Sequence, residues 1–258
     1  MNIEGYLKRD YITNMVQEGK RLDGRGFDDL RPITVTKGYV EDKACGSAYV
    51  KLGDTEVLSG ISMTIGTPYP DAPQSGIMAT STEFRPIASP YFEAGPPRED
   101  SIELARVVDR GIRESGCIDF DNLFIEEEKV WAVFIDIHLL NHDGNLFDAA
   151  GIAAIAALVD AKKPKQENGQ PIRGEWDGKL PITCIPIPFT FGKIGNKIVM
   201  DTQIDEEYAM DARLTVTTTS TLNAMQKGGM GSFTVDEVKG CVDKAFKRAP
   251  EIRRLVEE

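Results

Sequence analysis

The run KVWAVFIDIHLLNHDGNLFDAAGIAAIAALVDA, residues 129–161, constrains the fold more tightly than any other part of the chain. Its first half is the strongest strand in the sequence, rich in β-branched and aromatic residues. The turn His142-Asp143-Gly144 then feeds a helix of small residues expected from Asp148 to about 161. Strand, glycine turn and helix start together make the layout of a phosphate grip. A helix N-terminus offers unpaired N–H groups and a dipole that favours an anion. At that point, however, stand Leu146, Phe147 and Asp148, two apolar groups and a negative charge. The layout is present and the chemistry is not.

Short β runs separated by turn residues surround this unit. Residues 6–19 place Tyr6, Tyr11, Ile12, Met15 and Val16 near helical spacing, with Gly19 as a stop. From 32 to 92 the pattern is PITVTKGYV, GSAYVKLG, EVLSGISMTI and IMATSTEF, each bounded by turn chemistry. ASPYFEAGPPRED breaks the sheet, and Asp100 with Glu103 three residues on reads as a capping box for the next helix. KKPKQENGQPIRGEWDGKLP is polar, carries Pro and Gly, and reads as a connection between halves. Beyond it come strands ITCIPIPFTFGKI, NKIVMD and RLTVTTTSTL. QKGGMGSF lacks the order of a phosphate loop and reads as a turn before the last helix. Thr234 and Glu237 cap that helix, and Pro250 is expected to end or kink it. Strands followed by helices, twice, give an α+β plan of two similar halves of antiparallel-rich sheet packed with helices. The expected division is residues 1–30 (helix and Arg/Gly-rich loop), 31–165 (first half) and 166–258 (second half with the C-terminal helix).

Charge and cysteine usage narrow the function classes. A net charge of −11 argues against non-specific coating of nucleic acid, leaving room only for a few placed arginines or a partner. The N-terminal residues mix charges, and no apolar run approaches ~18 residues, so neither a signal peptide nor a membrane anchor is expected. A cytoplasmic chain with four reduced, mostly buried thiols (Cys45, Cys117, Cys184, Cys241) is the corresponding expectation. With two histidines and no metal-ligand spacing, no metal or other cofactor is implied.

RLDGRGFDDLRPITV, GSAYVKLGDTEVLSGI, the helix IELARVVDRGIRES, the strand-then-helix 130–158 and the acidic strand pair 199–216 together resemble the phosphorolytic RNase PH family over roughly residues 20–250. Within it, YFEAGPPREDSIELARVVDR and DAKKP…GKLPIT look most like the non-catalytic ring subunit of the archaeal exosome. The resemblance implies an RNase PH fold in a hexameric ring alternating with a catalytic RNase PH-like sister subunit. It also implies RNA-binding cap proteins on the ring and single-stranded RNA as substrate, with no membrane involved.

Both chemical positions of the family look degenerate here. Active members carry D-G-G-x-R-[S/T]-A at the turn; laid on this chain, Phe147 takes the Arg position and Asp148 the hydroxyl position. A guanidinium–phosphate bond contributes ~1.5–3 kcal/mol. An Asp about 5 Å from an anion repels it by ~3 kcal/mol at an effective dielectric near 20. Asp148 is also expected to cap the helix and take the N–H groups phosphate would use. Of the family's two aspartates six residues apart, the first falls on Glu207 and the second on Arg213, and an arginine neither gives up a proton at neutral pH nor ligates a cation. The bare reading of the 205–211 carboxylates is a solvated acidic hairpin loop; a metal site or a charged subunit contact are the alternatives.

Two arginine groups remain. In SIELARVVDRGIRES, Leu104, Val108 and Ile112 share one helical face and Arg106, Arg110 and Arg113 line another. Either this is a surface helix laced by pairs such as Arg110 with Glu114, or a basic strip for the phosphates of a threading strand, as the resemblance implies for Arg106 and Arg110 more than for Arg113. Arg21, Arg25 and Arg31 either pair with Asp23, Asp28 or Asp29, or pack on a neighbouring chain. Three functions compete: a non-catalytic exosome subunit that structures its sister's active site, an active phosphate-dependent 3′–5′ exoribonuclease, and a magnesium-dependent small-molecule enzyme using the acidic loop.

Overall fold

The structure is a computed structural model that describes residues 3–40, 43–167 and 169–258. Helix α1 (Ile3–Gln17) precedes four strands, β1 (Ile33–Lys37), β2 (Gly46–Leu52), β3 (Thr55–Gly66) and β4 (Ile77–Glu83). Helix α2 (Glu99–Glu114) leads through a single 3-10 turn to β5 (Phe124–Glu126), β6 (Lys129–Asn141) and helix α3 (Leu146–Asp160). A hairpin, β7 (Lys162–Glu167) and β8 (Gln170–Lys179), opens the second part. It is followed by β9 (Ile187–Ile194), β10 (Lys197–Met200), the short helix α4 (Ile204–Ala209), β11 (Ala212–Thr218), β12 (Leu222–Gly229) and helix α5 (Val235–Glu257).

The strands form an upper sheet in the order β1-β2-β3-β6-β4, with β5 on β6, and a second sheet in the order β10-β9-β11-β12. All pairings in these two sheets are antiparallel except β4 with β6. Parallel neighbours need a crossover. The crossover here carries α2, and that is why α2 lies against β4.

Helix α3 organises the core. From Leu146 to Leu158 every residue but Phe147 is buried, as expected of a helix apolar all round. It packs on β2 and β3 of the first sheet and on β9 of the second. Its small residues permit that double approach: a Cβ on Gly151 would come within 2.6 Å of Pro188 Cγ, and one on Gly46 within 2.6 Å of the Ala157 carbonyl. One buried cluster therefore runs through both sheets, while a smaller one (Ile12, Val16, Ile194, Val199, Ala209) sits under α1. The Tyr6 side chain lies outside the described residues; Tyr11, from the same expected face, is exposed.

Several sequence expectations are corrected. The polar stretch read as a connection folds into the β7–β8 hairpin, its Pro and Gly marking irregular register. The Asp100–Glu103 capping box does not form: α2 starts at Glu99 after an Arg98 N-cap with no side-chain bond. Helix α5 runs through Pro250. The proline leaves one carbonyl of the preceding turn unpaired, and burial of Ala245, Ala249, Ile252 and Val256 on either side holds the helix together. QKGG is the end of β12, not part of a turn. The Thr234–Glu237 box does form, with Thr234 N donating to Glu237 at 2.7 Å. The four cysteines are unpaired, two buried and two half-buried, and burial pushes the Cys241 thiol up to about 11. Among the described residues, no helix is long and apolar enough to cross a membrane.

Candidate functional site

The turn before α3 is built from two successive left-handed residues, Gly144 (φ 85°) and Asn145 (φ 49°). Gly144 is required twice over. Its φ suits glycine, and a Cβ there would lie 2.5 Å from the Thr202 carbonyl, backbone of the second half. Asn145 is the side chain that best tolerates this conformation, and its Oδ1 accepts from Asp148 N at 3.4 Å as the helix N-cap. Asp148 itself is not the cap, as the sequence suggested. It lies a turn inside, buried, accepting from Thr190 N (3.0 Å), Thr190 Oγ1 (2.8 Å) and Asn145 Nδ2 (2.8 Å).

A different carboxyl sits at the helix start. The carboxyl of Glu207, in the middle of α4, accepts from Asn145 N at 2.7 Å, so the first donor of the helix start already has an acceptor from this chain. The residue as a whole keeps some exposure, but its carboxyl is enclosed: burial, opposed by the Asn145 N–H and the Arg213 charge, pushes it up to about 7. Burial likewise pushes Asp148 up to about 7, against its hydrogen bonds from Asn145 and Thr190. Asp148 is turned to the interior on Thr190 and Asn145, so of the two carboxyls it is Glu207 that occupies a backbone donor at the helix start. Beside it, the Arg213 guanidinium lies 3.8 Å from the centroid of the Phe147 ring and donates to Glu103 of α2 at 2.6 Å. Glu103, freed from the expected cap, makes this pair. The four positions expected to be degenerate, Phe147, Asp148, Glu207 and Arg213, thus converge on one helix end.

The acidic segment is not a solvated hairpin loop. Glu206 is buried and takes both arms of Arg21 at 2.8 and 2.7 Å. Asp201, fully buried at φ 52°, accepts from Arg31 N, Nε and Nη2, from Arg25 Nη1 and from Asn145 Nδ2, all within 3.0 Å. Burial would raise its carboxyl, yet the Arg31 guanidinium holds it below the usual range. Of the expected short-range pairs, Arg25 with Asp23 forms (2.5 Å), whereas Arg21 and Arg31 reach across to the second half. Among the described residues no group of three or more His, Cys, Asp or Glu is placed to hold a metal ion.

Arg106, Arg110 and Arg113 line one groove between α2 and β4, with Thr82, Ser101 and Asp109. Leu104, Val108 and Ile112 are buried on the opposite face, as their spacing requires. The three arginines differ in freedom. Arg113 is committed to Asp109 (2.9 and 3.1 Å) and to the Met78 carbonyl (3.1 Å). Arg110 donates to Gln226 of β12 at 3.1 Å, not to Glu114. Arg106 is exposed and, among the described residues, has no hydrogen-bond or ion-pair partner. Next to the groove, His142 stacks on Phe92 (5.4 Å) and accepts from Gly144 N; burial keeps it neutral, down to about 4. Tyr91 is exposed and Trp131 buried.

Sequence reasoning missed Asn145, the arginine-bound burial of Asp201 and the seat of Glu207. The Gly144-Asn145 pair was a readable signal for left-handed backbone. The other two depend on partners far away in the chain.

This geometry has known counterparts. The two domain models of the 3′ exoribonuclease (RNase PH) family match residues 29–164 and 184–248. A curated relative, exosome complex component Rrp42 of Pyrococcus horikoshii, is 53% identical over 259 residues, 98% of this chain and 94% of that one. The protein of the same name from Methanocella arvoryzae is 48% identical, covering 97% and 96%. A solved chain described as the Archaeoglobus fulgidus exosome with RNA bound to the active site superposes with a TM-score of 0.91 at 43% identity, covering 98% of this chain and 99% of that one. Two matched domains over most of the length, and relatives at about half identity, make this chain a member of the RNase PH 3′ exoribonuclease family.

Proposed function

We propose that the chain is the non-catalytic RNase PH-like subunit of an archaeal-type exosome ring. It alternates there with a catalytic sister in a hexamer that carries RNA-binding cap proteins, structures the sister's active site and helps to hold single-stranded RNA. Relatives named as exosome components and the superposed exosome chain support the assembly. The single observation that supports inactivity is Glu207 seated on Asn145 N while Arg213 stacks on Phe147. Phosphorolysis needs a vacant seat for inorganic phosphate and a group able to pass a proton to the leaving oxygen. Here the seat holds a carboxylate of the chain itself, and the second position is a guanidinium, which stays protonated. Arg106, Arg110 and Arg113 remain as an ionic, sequence-blind contact to RNA phosphates, with Arg106 the least encumbered. Unpaired cysteines and the absence of a membrane-crossing helix among the described residues support a cytoplasmic site of action.

The test is direct. RNA plus phosphate incubated with the purified chain alone is expected to yield no nucleoside diphosphates, and addition of the sister subunit to give release. Turnover by the isolated chain, abolished by Glu207→Gln or Arg213→Met, would overturn the reading.

A further inference from the structure

Arg213 is buried more deeply than a surface charge and holds one carboxylate and one aromatic ring. Its side chain is 15% exposed and its Nε is buried without a hydrogen-bond partner. Its neighbour in the β11–β12 register is Gly228, where a Cβ would stand 2.7 Å from Nη2, so a glycine of QKGG makes room for the guanidinium. From that slot Arg213 reaches two helices at once. It covers the Phe147 ring in the first turn of α3, and it donates to Glu103 in the second turn of α2. Glu103, Arg106 and Arg110 are spaced i, i+3 and i+7, which places them along one side of α2. Arg110 is in turn held by Gln226 of β12. The arginine side of α2 is therefore pinned to the second sheet at both ends.

Apolar packing alone does not do this. Leu104, Val108 and Ile112 press α2 onto the core, but burial is non-directional and leaves rotation and sliding of the helix weakly defined. A charge-assisted bond of 2.6 Å and a stacked guanidinium are directional contacts.

We propose that Arg213, Phe147 and Glu103 form a positioning clamp that sets the orientation of Arg106 and Arg110 toward RNA. The positions at which active relatives carry catalytic groups are used in this chain to aim its RNA-contacting helix. This rests on the RNA-binding role proposed above for those arginines. None of the three clamp residues needs to touch RNA; they act through α2.

The experiment uses the assembled ring with its sister subunit and a short single-stranded oligoribonucleotide, with affinity read by fluorescence anisotropy and ring mass by native mass spectrometry. Arg213→Met is expected to weaken binding ~3- to 10-fold with ring mass unchanged, the size of coupling typical of residues in one contact network. Arg106→Ala with Arg110→Ala should weaken it more, and adding Arg213→Met to that pair should weaken it no further. Arg213→Lys, which keeps the charge on Glu103 but not the planar stack, should restore part of the loss. Phe147→Leu, which keeps volume and removes the ring, should repeat the loss in milder form. Additive losses in the triple variant, or unchanged affinity for Arg213→Met, overturn the clamp while the arginine strip stands. Ring disassembly by both Arg213→Met and Phe147→Leu makes the role one of folding and also overturns it. If the arginine pair itself leaves affinity unchanged, the RNA-binding role fails and the clamp fails with it.

Discussion

The start of α3 and the outer side of α2 both offer anion-binding groups, and they have opposite fates. At α3, backbone donors, the helix dipole and nearby arginines are all present, yet several of these groups are paired internally: Asn145 N with Glu207, Asp148 N with Asn145, Arg31 with Asp201, Arg213 with Glu103. At α2, Arg106 is exposed and, among the described residues, uncommitted. An inventory of donors would rank α3 first. What separates the two regions is vacancy: a donor already paired with a desolvated carboxylate has nothing left for a free anion, whereas a solvated guanidinium exchanges only water.

The contrast breaks most sharply at Asp201, which holds the sealed side closed. Asp201→Ala removes the acceptor shared by Arg25, Arg31 and the side-chain amide of Asn145, leaving the nearly buried Arg31 guanidinium with Asp143 as its one carboxylate. Removing one partner of such a network is expected to cost ~3–5 kcal/mol, measured by denaturant unfolding. A loss near that of an ordinary surface substitution would show that the sealed region is not held by its charges. Next in size is the attempt to reopen the seat. Phe147→Arg with Asp148→Ser should bind no phosphate by calorimetry, because Glu207 remains on Asn145 N. Adding Glu207→Gln should bring weak binding, with a Kd on the order of 1 mM, about 4 kcal/mol at the standard state. Phosphate binding by the first pair alone would return the excluding role to side chains 147 and 148.

The smallest effect concerns pH. Asp148 and Glu207 have ordinary values of 3.8 and 4.5 and are raised to about 7 in the fold. Between those limits the folded state binds protons that the unfolded state has released, so their contribution is complete below about 4 and is lost as pH rises through about 7. His142 is depressed from 6.5 to about 4 and works in the opposite sense, losing its contribution as pH falls through that interval. Asp148→Asn removes one of the two acids. About two pH units of that interval lie between pH 5 and pH 7, at ~1.4 kcal/mol each, so its Tm relative to the parent should rise by ~5–10 °C between pH 5 and pH 8. A Tm difference that stays flat over that range would mean the carboxyl ionises normally, and that the sealed region is wetter than its geometry.

Much of the frame was legible from residues alone. The 129–161 unit, the buried face of α2 and the Thr234–Glu237 cap rest on periodicity and on contacts three or four residues long, which any window of the chain displays. The errors fall where local chemistry was ambiguous or overruled. A polar Pro/Gly stretch became a hairpin because the two strands pair with each other. Pro250 was absorbed because α5 gains more from its buried face than it loses in one bond. Asp148 looked like a cap because Asp caps helices, and it yielded that place to Asn145, which the left-handed turn favours.

By itself the sequence determined the family and the α+β order of elements, and it marked two positions whose residues differ from the family pattern, since those are written in residue type and short spacing. Only the tertiary structure decided what those positions do instead. Glu207 meets Asn145 across 62 residues and Arg213 meets Glu103 across 110. Such pairings leave no periodic trace in a chain; they arise when two sheets close on one helix and the buried charges left between them must find each other or stay unpaired at high cost.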